Sequence, residues 1–408
     1  MGRRDKIQVL GESAQYDLCC SNQCLGRDAG GVHRVRGDLG RWIYPAVMPN
    51  GETILLLKVL MSNECRNDCY YCVNRCSHSF PRESFRPEEL AALFLELDRR
   101  GLARGLFLSS AVVRDADGTM DRMLATAELL RLRHRFNGFI HLKVLPGASY
   151  DRVARAAELA DRISINLEAP NAERLQAIGP DKDFDEDLAR RIGWIGKLVA
   201  RKDTKARGHT TQFVVGAAGE SDAEILKTTD ALYKRVGLSR AYFSAFQPLA
   251  GSPLADRPAP PLLREHRLYQ CDFLFRRYGF KLTEIPLADD GNLSLHADPK
   301  LLWAQQHPDR FPVEVNTAGR TTLLRVPGIG PRSARRILRM RRTERFRRLD
   351  ALRGAGVVTR RAAPYIILDG KRPARSSEDR QLRLWPAVGQ GLTRKEGIDT
   401  GDHSAIMV

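Results

Sequence analysis

Asn63–Cys76 reads NECRNDCYYCVNRC, four cysteines within twelve residues, and it follows directly on the aliphatic run Thr53–Met61, TILLLKVLM. That run is too short for a membrane span, which needs about eighteen or more apolar residues, and its β-branched and aliphatic content reads as a buried strand. The cysteines therefore lie on the loop leaving a strand, where α/β sheets bind their ligands. Cys65, Cys69 and Cys72 are spaced C-x3-C-x2-C. Three thiolates from one tight loop suit a cubane iron–sulfur cluster and leave its fourth iron open to a substrate or cofactor. The alternatives are a zinc knuckle with Cys76 as fourth ligand, or buried thiols without a ligand, although zinc sites more often pair C-x2-C units or combine Cys with His.

Working outward, the strand is the first of six. Thr53–Met61, Gly105–Val113, Gly138–Leu145, Arg162–Glu168, Thr210–Gly216 and Arg240–Phe246 are short aliphatic runs. They alternate with amphipathic stretches such as RPEELAALFLELDRRG and SDAEILKTTDALYKRVG, whose apolar residues recur at three and four. Such alternation predicts parallel strands with helical crossovers, an α/β sheet closed into a partial (β/α)6 barrel over residues 53–285. Residues 1–52 read as an N-terminal extension beginning with a helix near Ile7–Tyr16. Residues 286–318 read as a linker, 319–370 as a small all-α domain and 371–408 as a polar, disordered tail.

The charge is unevenly placed. Of a net +17, thirteen charges fall between Arg320 and Arg372, where sixteen arginines and lysines face three acidic residues. Concentration in 53 residues points to a module for a polyanion. Within it, LLRVPGIGPRSARRIL fits the helix-hairpin-helix pattern, in which glycines allow a tight turn and the following helix offers free backbone N–H groups to a phosphate. Pro327, Gly328, Ile329, Gly330, Arg332, Ser333, Arg335 and Arg336 are the candidate nucleic-acid contacts. A weaker copy, LRGAGVVTRRAAPYII, follows 28 residues later, with Gly356 in place of Gly328 and Val358 in place of the second glycine. With no signal core behind MGRRDKIQVL and no apolar span, a cytoplasmic location without membrane association is the default expectation. In that compartment eight cysteines favour metal ligation or catalysis over disulfides. Cys19, Cys20 and Cys24 could ligate an auxiliary cluster, but three close cysteines outside the barrel are more often ordinary thiols. Cys271, in LYQCDFLF, reads as core.

The C-x3-C-x2-C with Tyr71 before its last cysteine, on the loop after strand one of six βα units, resembles the radical S-adenosylmethionine (SAM) superfamily. The resemblance implies a [4Fe–4S] cluster on Cys65, Cys69 and Cys72 and SAM chelating its open iron. Reductive cleavage then gives a 5′-deoxyadenosyl radical that abstracts a substrate hydrogen. The same resemblance places Tyr71, Ser109, Ser110, Lys143, Asn166, Glu168, Gln212 and Gly216 around SAM. Ser109 and Ser110 stand where the family usually has Gly-Gly-Glu, and Glu220 is one residue later than the family's glycine motif expects.

With the hairpin included, stretches from SAQYDLCC to YFSAFQPL are similar to a family of radical SAM proteins described as acting in DNA modification or repair. That family is often linked with a uracil-DNA glycosylase-like partner. The expectation is an enzyme that acts on DNA, repairing a lesion or modifying a base or sugar, with an external one-electron reductant. An RNA substrate, or a non-catalytic zinc-containing DNA-binding protein, is the alternative.

Overall fold

In the first of the chain's two compact units, Ile43–Val47 (β1) lies antiparallel against Thr53–Leu60 (β2). Five further strands follow in parallel: Gly105–Ser109 (β3), Phe139–Lys143 (β4), Arg162–Ser164 (β5), His209–Val215 (β6) and Arg240–Ala245 (β7). Spatial order equals chain order, so the sheet curls as a half-barrel with β1 and β7 at its edges. The computed structural model describes residues 3–15, 42–47, 52–201 and 203–373. The first unit runs to Asp272 and takes back Leu287–Leu295; the second comprises Phe273–Pro286 and the chain from His296.

Several helices begin at residues that cap them. In the first unit the helices are Arg3–Gln15 (α1), Pro87–Arg99 (α2), Ala116–Glu128 (α3), Tyr150–Leu159 (α4), Ala172–Gln176 (α5), Arg190–Ala200 (α6), Asp222–Arg235 (α7) and Leu262–Phe273 (α8). Pro87 opens α2 with its fixed φ, and Asp115 accepts from Gly118 N at 2.6 Å ahead of α3. Ser221 and Glu224 close a reciprocal capping box on α7. Leu106, Leu108, Ile140 and Leu142 are wholly buried on one face of β3 and β4, while the alternate residues are Phe107 and His141. Farther round, Phe213 and Phe243 stack at 6.1 Å and Tyr269 of α8 meets Phe243 edge-on, so the helices lie over that face. Period-two alternation then turns Gln212 and Tyr242 to the inner face.

The N-terminal segment is more than an extension, because it supplies the seventh strand, β1, and α1. Asn63, with no exposed surface, donates to Ser13 Oγ of α1 and to the Pro81 carbonyl, both at 3.0 Å, and accepts from Glu83 N. Residues 286–318 also contribute packed groups. Leu293 N donates to Asp222 at 2.8 Å in the first unit, and Trp303 and Val313 are core residues of the second.

The second unit contains Pro299–Gln306 (α9), a two-strand parallel ladder of Val313–Glu314 (β8) with Ile366–Ile367 (β9), and four short helices. These are Arg320–Arg325 (α10), Pro331–Met340 (α11), Leu349–Gly354 (α12) and Thr359–Ala362 (α13). Gly328 and Gly356, at equivalent points between the paired helices, share φ +83°. A side chain at Gly328 would meet the Val358 carbonyl at 2.5 Å, so glycine is required there. The two turns lock reciprocally. Val358 N donates to Gly328 O at 3.0 Å, and Ser333 Oγ donates to Gly356 O at 2.5 Å.

One buried group gives a pH prediction. His209, at the start of β6, is 1% exposed, and neither ring nitrogen has a hydrogen-bond partner. Burial holds its pKa down to about 4. An unfolded histidine titrates near 6.5, so the stability this neutral ring contributes is present above pH ~6.5 and is lost as pH falls through the folded value. Between pH 7 and 4.5 the metal-free protein is expected to lose on the order of 2–3 kcal/mol from this residue. His209→Leu should flatten that part of the thermal-midpoint profile; an unchanged acid limb would contradict the assignment.

Candidate metal centre

The loop from Met61 to Phe85 is built by backbone bonds to its neighbours. Arg66 N donates to Val112 O at 2.7 Å, Tyr70 N to Ile178 O at 2.8 Å, and Cys72 N to Cys69 O at 3.0 Å. Ser252 Oγ donates to the Tyr70 carbonyl at 2.5 Å, and Arg75 Nη2 to Gly251 O at 2.5 Å. The cysteine turn is therefore clamped between the segment after α5 and the segment after β7. From within, Arg82 spends its guanidinium on four carbonyls, those of Asn63, Asn74, Arg75 and His78, at 2.5–2.9 Å. Nothing in the sequence marks Arg82, because a lone arginine after a cysteine cluster has no distinguishing pattern.

Cys65, Cys69, Cys72 and Cys76 are all free thiols. Burial pushes the Cys69 thiol up, and burial with the neighbouring Cys69 and Cys65 pushes Cys72 up to about 12. Enclosed, mutually repelling thiols become thiolates only with a cation to hold them, which is what a metal centre supplies. Among the described residues no three Cys, His, Asp or Glu side chains gather closely enough to ligate one ion. A cubane places each sulfur on a different iron, so its ligands need not converge on a single ion. Cys76 is exposed, with its thiol against Asp68. Arg82→Ala is expected to weaken cluster retention by roughly 10–100-fold through loss of this outer support, measured as iron released to a chelator, with the far-ultraviolet spectrum intact.

Residues 59–232 match the radical SAM superfamily. Those residues, under half of the chain, form a radical SAM domain. Radical SAM proteins use a [4Fe–4S] cluster and SAM, and Cys65, Cys69 and Cys72 fit that cluster in place and chemistry. HydG, a maturase of the [FeFe]-hydrogenase, is 13% identical over 54% of this chain and 49% of its own, with a TM-score of 0.44. Methylornithine synthase (PylB) is 13% identical over 54% and 61%, with a TM-score of 0.44. A radical SAM methyltransferase from Sphaerobacter thermophilus is 15% identical over 66% and 84%, with a TM-score of 0.42. The aligned part of this chain spans 49% of the length of HydG and 61% of that of methylornithine synthase. No curated protein sequence matches this chain.

Around the mouth of the radical SAM domain, the SAM-site candidates lie at or beyond the strand ends. Ser109 closes β3 and Lys143 closes β4. Asn166 and Glu168 follow β5, Gln212 sits within β6, and Gly216 follows it. Ser110 differs from expectation, because its hydroxyl already donates to the Ala111 carbonyl at 2.7 Å and so serves the loop. Glu168 takes a left-handed backbone at φ +65°, costly for a side chain of its size, while Val214 N and the Gln212 carbonyl pair with its backbone. Gly216, at φ +89°, would drive a Cβ into Pro260 at 2.8 Å. The displaced Glu220 has its own task, accepting from Gly216 N at 2.5 Å and Ala218 N at 3.1 Å, which fixes that turn.

Tyr71 is held through its side chain, since Lys182 Nζ donates to its hydroxyl at 2.8 Å. Lys182 is 9% exposed and lies 4.0 Å from Glu168. Two more groups that sequence alone did not single out line the inner face. Lys58 lies 5.3 Å over the Phe107 ring, which stacks on His141 at 4.2 Å, and His141 Nε2 is 2.9 Å from Ser164 Oγ. His141 alternates with Lys143 in IHLK, so its side was legible; Lys182, in an irregular loop, had no period to reveal it. Cys19, Cys20 and Cys24 lie outside the described residues.

In the second unit, Arg332, Arg335 and Arg336 are exposed on α11. Pro327, Ile329 and Ser333 are buried, which removes their side chains from the candidate contact surface: Ile329 packs in the unit's core and Ser333 holds the second turn. Lys300, itself buried, donates to the Ile329 carbonyl at 2.6 Å and so pins the first turn.

Proposed function

We propose that the chain is a SAM-dependent radical enzyme that acts on DNA, through lesion repair or modification of a base or sugar. The observation that carries the catalytic half is the trio of Cys69, buried, with Cys65 and Cys72, half-buried, at the mouth of a radical SAM half-barrel. Bound there, the cluster and SAM supply a 5′-deoxyadenosyl radical. The chain's own part is to hold the thiols in one loop, to present Ser109, Lys143, Asn166, Glu168 and Gln212 as polar contacts for SAM, and to enclose the reacting groups against water. Helix cover on one sheet face leaves the inner one for the substrate.

The nucleic-acid half rests on the second unit, which we read as a tandem helix-hairpin-helix. Gly330 caps α11, a ten-residue helix whose first N–H groups and exposed Arg332, Arg335 and Arg336 suit a phosphate. Such contacts grip a backbone and leave the choice of base or lesion to the barrel. A uracil-DNA glycosylase-like partner and an external one-electron reductant complete the proposal, in a cytoplasmic setting. No helix among the described residues is long and apolar enough to cross a membrane.

The test is anaerobic reconstitution followed by reduction with SAM and duplex DNA, tracing deuterium from labelled DNA into 5′-deoxyadenosine. Transfer from one position supports the reading. SAM cleavage that ignores DNA while structured RNA competes tightly for the hairpins would move the substrate to RNA.

A further inference from the structure

We infer that Lys182 is a positioning residue for the cluster, a fixed positive charge locked beside Cys69 that raises the cluster's reduction potential. The inference rests on the cluster reading above and adds a group that neither the cysteine motif nor the strand ends include.

The geometry is specific. Lys182 follows α5 in the segment Gly179–Lys182, and its backbone N donates to Gly179 O at 3.1 Å. Gly179 abuts the ligand loop, since a Cβ there would lie 3.7 Å from Cys69 Sγ. Asp68 N donates to Asp181 at 2.5 Å, and Tyr70 N to Ile178 O at 2.8 Å, so the segment and the loop move together. The lysine side chain then runs inward. Its ammonium donates to Tyr71 Oη at 2.8 Å, sits 5.5 Å from that ring's centre and 4.0 Å from Glu168. The ammonium therefore stands among Tyr71, Glu168 and the ligand sulfurs of Cys69 and Cys72.

A surface lysine would be screened by water and salt; this one is enclosed, where a unit charge acts with less screening. A cation next to a ligating sulfur favours the electron-rich form of a cluster, as hydrogen bonds and net charge at the sulfurs do generally. Glu168 acts in the opposite sense. Its carboxylate also bonds with Tyr71, whose phenol thus lies between cation and anion. The groups facing the ammonium are thus Cys69, Cys72, Tyr71 and Glu168.

The experiment is a redox titration of the reconstituted full-length protein without SAM, followed by electron paramagnetic resonance. This readout is independent of turnover and of SAM binding. Lys182→Met is expected to lower the ratio of reduced to oxidised cluster at a fixed potential by about tenfold or more, a shift of about 59 mV for one electron. Lys182→Arg, which keeps the charge, should titrate close to the parent, and Glu168→Gln should shift the other way. Equal midpoints for the parent and Lys182→Met at matched iron content would overturn the inference while leaving the cluster reading intact. So would shifts of one sign in all three variants, which would mark general loosening. A parent protein that takes up no iron would sink both.

Discussion

Cys69→Ala is expected to give a folded but colourless protein. The parent, reconstituted anaerobically, should hold about four irons per chain, and the variant less than one, with SAM cleavage lost. The reasoning begins with what the thiol does for the fold, which is little. Cys69 is buried, but alanine keeps its Cβ, and losing one small buried group costs about 1 kcal/mol where the loop is otherwise held by backbone bonds. For the cluster the loss is structural. Three thiols on one loop are the whole ligand set of the motif, so removing one leaves two irons without protein ligands. Cys65→Ala and Cys72→Ala should behave alike. Cys76→Ala should retain the iron, because Cys76 is exposed and its thiol lies against Asp68. If Cys76→Ala proved as damaging as Cys69→Ala, with one zinc per chain in the parent, a four-cysteine zinc site would be the better account. Assembly should also carry a pH signature. Because burial holds the Cys69 and Cys72 thiols above their ordinary range, cluster formation must release protons, and its yield should rise from pH 7 toward 9.

The strands were readable because each is a short apolar run next to a turn signal, and all six lie where the alternation placed them, with ends shifted by a few residues. The cysteine motif was readable because its spacing is local. What escaped is what the chain brings together across distance. Lys182 reaches Tyr71 over 111 positions, and Ser252 reaches Tyr70 over 182. No window of sequence contains both partners. β1 escaped because IYPAV has a proline and too few apolar neighbours to stand out; its strand character comes from pairing with β2. The packing within 286–318 is hidden for a related reason. Its polar stretch, Asp289–Asn292, is a turn whose Gly291 carbonyl accepts from Ala223 N, and its buried apolar residues Leu293, Trp303, Val313 and Val315 are spread too thinly to show a period. Around the Gly328 turn, the pattern could not tell exposed positions from buried ones. Arg332 and Ser333 are adjacent on α11, yet the first is exposed and the second buried.

That distinction defines the second large effect. Neutralising Arg332, Arg335 and Arg336 together, each to glutamine, is expected to weaken binding to duplex DNA on the order of 10²-fold at about 0.15 M salt. The number follows from counterion release. Each phosphate contact contributes a slope of about 0.9 to the dependence of log affinity on log salt, which at that salt is roughly a fivefold gain per contact. Three lost contacts should therefore also flatten the measured slope by about 2.7, and do so equally for unrelated sequences, since these side chains would read the backbone and no bases. The variant should fold. All three arginines are exposed, and the unit's packing rests on Leu323, Leu324, Ile329, Ala334 and Ile337. Ser333→Ala provides the contrasting case, because it deletes the hydroxyl that holds the Gly356 carbonyl at 2.5 Å and should lower the thermal midpoint without changing the salt slope. A triple variant that binds with the parent's affinity and slope would show that the thirteen excess charges of this segment serve something other than a phosphate backbone. An unchanged slope with weaker binding would instead place α11 near the nucleic acid without contacting its phosphates, because only charge neutralisation at the backbone releases counterions.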